Sequence, residues 1–232
     1  VLRSPIYALN CLVNVILGPV FVLSIFVFTK NSEEAQTINV LINEYRKNPA
    51  IFTYVFFAFV TLITAMDFAP SSTFSREGRN FWVTKVIPVS YKEQVKGRIL
   101  ASIIFYLLCA VPMAIFLQYY IKLPVFYLIT AFVVIYTSIL EFTYLSILID
   151  AIRPKLKWTN EAEPVKQNLN TIAAMLLSYV LIAINVIPVL FIKLIPGYAC
   201  LVISLVISIL ILALLRYALM RIVSERYSQL YV

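Results

Sequence analysis

Glu141 is the only acidic residue set deep within an apolar run, and it shares one helical face with Thr130, Thr137 and Ser138. Burying a charged carboxylate is costly, so Glu141 is expected to be paired, protonated or turned toward a polar cavity. It is the candidate for a proton- or ion-coupling group. Thr171, Ser178 and Asn185 recur every seven residues in a second apolar run, and Asn10 and Asn14 lie one turn apart just ahead of Gly18-Pro19. Asn10, Asn14, Thr137, Ser138, Glu141, Ser178 and Asn185 together are the candidate lining of a translocation path. The competing reading is hydrogen bonding between helices, with Cys200, Ser204 and Ser208 small enough to let helices approach closely. Each such bond is worth only about 0.6 kcal/mol.

Other chemistry is excluded by what the chain lacks. It contains no histidine, which removes H-E-x-x-H zinc proteolysis and Ser–His proteolysis within the membrane. Its four glycines, Gly18, Gly78, Gly97 and Gly197, cannot make a G-x-x-x-x-G-K-[ST] phosphate loop, so no P-loop hydrolysis of ATP is expected on this chain. A second acid to pair with Glu141 for acid/base work is hard to assemble. Cys11, Cys109 and Cys200 all fall in apolar runs with no CxxC pair, so neither a disulfide framework nor a zinc site is expected. The chain is therefore expected not to be an enzyme, and to carry no cofactor or metal.

Two polar stretches hold the remaining motifs. In residues 69–98, Phe74, Phe81, Trp82 and Val86 recur at spacings that predict one apolar side of a short amphipathic helix, with Arg76, Arg79 and Lys85 toward water or headgroups. Pro88 lacks an amide hydrogen and biases Ile87 away from helical angles, so it should end that helix. Ser90 and Glu93 then form an S-x-x-E capping box ahead of the next apolar run. In residues 150–169, Pro154 should close one helix, while Asn160 with Glu163 should cap the next and leave Pro164 in its first turn. Trp158 is an expected interfacial residue.

The elements that must position these residues follow from composition. With 62% hydrophobic and 13% charged residues in 232, the chain has far more apolar surface than an aqueous fold can cover. The apolar residues cluster in runs of the length a helix needs to cross a bilayer. Six spans are predicted: 8–29, 50–68, 99–118, 124–149, 170–192 and 197–219. They form a single transmembrane domain, with tight hairpins at Lys122–Pro124 and Lys193–Gly197. Fourteen of the 19 Lys and Arg residues fall on one side of this map, leaving Lys30, Arg46, Lys47, Lys122 and Lys193 on the other. Basic loops stay in the cytoplasm, so both termini are expected there. The net charge of +8 is read as this orientation signal and not as nucleic-acid binding. The chain begins on Val1 without a signal-peptide pattern, and an upstream segment is expected. Residues 30–49 contain no N-x-[ST] sequon and disclose no chemistry.

At SSTFSREGRNFWVTKVIPVSYKEQVKGR, and again at IDAIRPKLKWTNEAEPVKQNLN, the sequence resembles the permease of ABC-2 type exporters, in particular an exporter group of Firmicutes. The resemblance covers essentially the whole chain. The opening LRSPIYALN looks like the segment that leads into the second six-helix half of such permeases, whose full chains are about twice this long. The resemblance implies a bacterial plasma-membrane, multi-pass permease and a separate ATPase subunit that binds ATP and docks on the cytoplasmic side. It also implies that the loop after the second span carries the coupling helix. The positions matching that motif are Ser75, Arg76, Glu77 and Gly78, then Ile87, Pro88, Val89 and Ser90, with Phe81 and Trp82 between them. The first half has no counterpart here, so a second six-helix half or a second copy is expected as partner, within the lipid bilayer.

Two function classes stay open on the sequence. One is the membrane subunit of an ATP-driven exporter, working by alternating access and performing no bond chemistry. The other is a secondary transporter that couples through Glu141, for which inverted repeats would be the mark.

Overall fold

The computed structural model describes residues 47–226, together with Val13, residues 16–21, Ser24, Val40 and Asn43. Asn10, Asn14, most of the expected span 8–29 and both chain ends lie outside the described residues. Within them all regular structure is helical. The helices are α1 (Pro49–Ala65), α2 (Phe81–Val86), α3 (Tyr91–Ile121), α4 (Val125–Ile152), α5 (Glu163–Lys166), α6 (Leu169–Val186) and α7 (Gly197–Arg226). Tight 3-10 turns occupy Pro70–Ser72, Ser75–Asn80 and Ile187–Phe191. Five segments, within Pro49–Val86, Tyr91–Ile115, Val125–Ile152, Glu163–Phe191 and Gly197–Glu225, are long and apolar enough to cross a bilayer. The arrangement suits a multi-pass membrane protein.

Helix ends follow local chemistry. Ser90 caps α3, its hydroxyl accepting the Glu93 amide at 3.4 Å. The helix therefore starts at Tyr91, eight residues ahead of the expected span, and its 31 residues reach about 45 Å, more than a hydrocarbon core of about 30 Å. The polar turns from Tyr91 to Arg98 are the part that can stand outside that core. At the other end Lys122 adopts a left-handed conformation, φ 56°, and its amide returns to the Gln118 carbonyl at 3.0 Å. The Gln118 amide clamps Leu123 through both of its polar atoms, at 3.0 and 3.1 Å, which fixes the turn into α4. Gly197 opens α7 where a Cβ would meet the Ala50 Cβ at 2.4 Å, so only glycine lets the starts of α1 and α7 come this close.

α4 is the central helix and packs against α1, α3, α6 and α7. Its most extensive partner is α7, which offers a narrow stripe of Cys200, Leu201, Ser204 and Ser208, each at most 1% exposed. Small residues at four-residue spacing permit that approach. One core gathers Phe52, Phe56, Phe57, Tyr106, Met113 and Ile139, toward the end where α3 turns into α4. A second, toward the opposite end, joins Phe74, Phe81, Val95, Ile99, Ile147 and Leu219.

Three sequence expectations are corrected here. The stretch after α1 is not one amphipathic helix: Phe74 and Phe81 are fully buried, while Trp82 and Val86 are 59% and 67% exposed, because the 3-10 turn over Ser75–Asn80 breaks the periodicity. The helix after the second polar stretch is capped by Asn168, whose side chain accepts the Asn170 amide at 3.0 Å. Asn160 and Glu163 do pair as expected, but at the short α5: the Asn160 amide donates to the Glu163 carboxylate at 3.2 Å and the Asn160 side chain accepts the Ala162 amide at 3.0 Å, with Pro164 in the first turn of that helix. Asp150, expected in a loop, lies inside α4 and is fully buried, so Glu141 is not the only deep acid.

Candidate functional site: a buried polar platform and an exposed apolar turn

Asp150 sits near the last turn of α4, where free carbonyls make a poor environment for a carboxylate. The loop after α1 supplies the compensating donors. The Phe74 and Ser75 amides, at the start of a 3-10 turn, donate to Asp150 Oδ2 at 2.6 and 3.1 Å. The Ser75 hydroxyl donates to Oδ1, and the Asn170 side chain adds a bond to Oδ1 at 3.2 Å. Ser75 Oγ also accepts from the Lys155 amide at 2.8 Å and from Asn168 Nδ2 at 3.2 Å, so one donor and two acceptor sites are all in use. The Trp158 indole donates to the Ser75 carbonyl at 2.9 Å. Two polar loops, far apart in sequence, are thus tied through Ser75 and Asp150 into one platform across the ends of α4 and α6.

The neighbouring motif residues extend the platform. Glu77 accepts from Arg98 with one oxygen and from Thr84 Oγ1 at 2.7 Å with the other. Arg98 also donates to the Thr73 carbonyl at 2.8 Å and covers the Phe74 ring 4.5 Å from its centroid. Arg76 turns back to the Ala69 carbonyl at 2.9 Å and the Ser72 carbonyl at 3.2 Å. Gly78 takes a positive φ of 51° beneath the Trp158 ring.

On this platform stands an apolar turn. Trp82, Val86, Ile87 and Val89 are all at least 44% exposed, and Pro88 and Ser90 are exposed with them. The Val89 amide bonds the Ile87 carbonyl at 2.7 Å, closing a three-residue turn about Pro88. Gln94 Nε2 fastens this turn to α3 through the Thr84 and Val89 carbonyls at 3.1 and 2.9 Å. Of the ten positions matched to the coupling motif, Ser75, Gly78 and Phe81 are buried, Arg76 and Glu77 are half-buried and bonded within the platform, and Trp82, Ile87, Pro88, Val89 and Ser90 face outward.

The second polar centre lies mid-bundle. Glu141 is fully buried; Asn185 Nδ2 donates to its Oε2 at 3.1 Å, and the Ser208 hydroxyl bonds its Oε1. Ser208 Oγ is also 3.0 Å from Thr137 Oγ1. Ser204 donates to the Asn185 carbonyl at 2.8 Å and shares a bond of 2.8 Å with the Tyr54 hydroxyl. Helices α1, α4, α6 and α7 are joined through these groups. Ser138 and Ser178 are buried beside them, and Asn10 and Asn14 lie outside the described residues. Among the described residues, Ser138 Oγ and Asn185 Oδ1 have no hydrogen-bond partner.

Comparison with family models, with curated proteins and with solved structures finds no match.

The buried polar groups join helices and loops to one another. The oxygens of Glu141 and Asp150 are occupied by neighbouring donors, whereas a third buried carboxylate, Asp67, accepts the Ala69 amide at 3.0 Å with Oδ1 and leaves Oδ2 without a partner; no group of three His, Cys, Asp or Glu residues that could hold a metal is found among the described residues. Sequence reasoning missed Asp150, Asn168 and Asn170. A signal for Asp150 did exist: it lies three or four residues beyond Ser146 and Ile147, on the buried face of α4.

Proposed function

We propose that the chain is the transmembrane permease subunit of an ATP-driven exporter of the ABC-2 type, with a separate ATPase docked on the turn Trp82–Val89. The carrying observation is that turn itself: apolar side chains exposed on a platform whose polar groups are bonded inward. A protruding apolar knob beside Lys85 and Lys92 fits a groove on a protein partner, where a few buried anchors supply most of the binding energy. The platform then provides a stiff path from the turn, through Ser75 and Asp150, to the central helix α4. In this reading the chain crosses a bacterial plasma membrane six times with both ends cytoplasmic, and a second six-helix half or a second copy completes the path.

The test is copurification of the ATPase and its stimulated hydrolysis for wild type and Val89→Asp at equal membrane abundance. A charge placed in a desolvated contact should weaken assembly or uncouple hydrolysis while the helices remain inserted. Unchanged assembly and hydrolysis in Val89→Asp, Ile87→Asp and Arg76→Glu would return the turn to a membrane-surface anchor. One observation favours the second reading, a carrier coupled through Glu141: the unpaired Asn185 Oδ1 and Ser138 Oγ leave bonding capacity near that carboxyl group. Loss of transport in Glu141→Gln at normal abundance, without dependence on ATP, would favour it.

A further inference from the structure

A cleft of ≈ 880 Å³ opens between α3, α4 and α7, at the end of the bundle that carries Ser90. Its wall is apolar where it runs along Leu140, Ile209, Leu212 and Met220. Its rim is basic: Lys92 comes from the first turn of α3, and Arg216 and Arg221 from the last turns of α7. Among the described residues no acidic side chain lines the cleft, and the nearby Glu225 is held by Arg221 at 3.0 Å. From Ile209 to Arg216 the α7 axis rises about 10 Å, so the charges stand about two turns from the deep apolar wall. Tyr144, Tyr217 and Ser224 add hydroxyl groups to the lining.

We propose that this cleft holds one phospholipid with an anionic headgroup, its phosphate against Lys92 and Arg216 and an acyl chain along Leu140, Leu212 and Ile209. The chemistry argues for a lipid over a free anion. A small phosphate ion would occupy the rim and leave the apolar wall wet, whereas an acyl chain covers that wall and brings the headgroup to the height of the basic residues. Basic pockets between membrane helices on the cytoplasmic side recognise such headgroups by the same pairing. The cleft shares Lys92 with the surroundings of the Trp82–Val89 turn but includes none of that turn's apolar residues, and the proposal does not depend on the exporter reading.

The experiment uses the purified full chain, stripped of lipid in detergent and offered equimolar phosphatidylglycerol and phosphatidylcholine with the same acyl chains. Native mass spectrometry counts the lipid retained. Wild type should keep phosphatidylglycerol over phosphatidylcholine by about thirtyfold, as two basic groups at a membrane surface would give. The pair Lys92→Ala and Arg216→Ala should bring that ratio close to one, whereas Lys96→Ala and Arg79→Ala, outside the cleft, should leave it unchanged. Leu212→Trp, which fills the wall, should reduce retention of both lipids. Equal retention of the two lipids by wild type, or an unchanged ratio in the Lys92→Ala and Arg216→Ala variant, overturns the proposal. Displacement of phosphatidylglycerol by excess inorganic phosphate overturns it as well, by assigning the rim to a free anion.

Discussion

The Trp158 indole covers Gly78 so closely that a Cβ built on the glycine would lie 2.6 Å from Cζ2 of the ring. The two residues belong to different polar loops, and the contact exists only because Ser75 holds both: its carbonyl accepts the indole N–H, and its hydroxyl accepts the Lys155 amide.

Gly78→Ala should therefore destabilise the platform twice over, by strain at φ 51°, ψ −128°, and by collision with the ring. A loss of about 2–3 kcal/mol is expected, read as a lower midpoint of thermal unfolding in detergent. Combining it with Trp158→Ala should cost less than the two losses added, because the collision is then gone while the strain remains.

Asp150→Ala should leave the Phe74 and Ser75 amides, the Ser75 hydroxyl and the Asn170 side chain without their shared acceptor. The expected loss is about 3 kcal/mol or more, since buried donors left unpaired bear their full desolvation cost. Asp150→Asn should lose less, because one carbonyl oxygen remains to accept. With Trp82→Phe making Trp158 the sole tryptophan, the loosened platform should shift its fluorescence to the red in Asp150→Ala and hardly in Asp150→Asn. Unchanged emission in Asp150→Ala would separate Trp158 from the Asp150 platform.

For Glu141 the expected order of stability is wild type, then Gln, then Ala. Glutamine can still accept from Asn185 and donate to Ser208, while alanine strands both beneath the α4–α7 contact and should cost about 2 kcal/mol more. If Glu141 serves only to join the helices, Glu141→Gln keeps the stimulated ATP hydrolysis expected of the proposed partner ATPase. Chemical unfolding and hydrolysis assays on the same preparations separate the two properties.

Single cysteines in a background lacking Cys11, Cys109 and Cys200 test the sidedness. Asn160→Cys should be shielded from an impermeant thiol reagent in intact cells, and Lys193→Cys labelled, as the partition of basic residues requires. Both positions are exposed, so reactivity reports sidedness; Ser72, fully buried, would be silent on either side. Labelling of Asn160→Cys from outside would invert the map.

Much of the architecture was legible because it rests on one-dimensional signals. A run such as Val125–Ile152 can satisfy its backbone in hydrocarbon only as a helix, and Pro124 and Pro196, which have no amide hydrogen to donate, mark the breaks before α4 and α7, while Pro112 is carried within α3. The Ser90 and Glu93 spacing located the start of α3, and the seven-residue recurrence of Thr171, Ser178 and Asn185 marked a face of α6 on which all three prove buried. Glu141 announced that it needed partners, since a carboxylate in an apolar run is too costly to leave alone.

What tertiary structure decided was which partners those would be. Asn185 and Ser208 reach Glu141 from helices 44 and 67 residues further along, and no local pattern encodes that meeting. The loop after α1 shows the same limit: periodicity put Phe74, Phe81, Trp82 and Val86 on one side, yet Asp150, 75 residues from Ser75, draws that loop into a 3-10 turn that buries the first two and turns the others out. Sequence by itself determines where a chain must be helical and where it must break, because propensity, capping and hydrocarbon length act between near neighbours. Which polar groups are bonded inward and which apolar ones are left exposed depends on donors brought from distant segments, and only packing brings them.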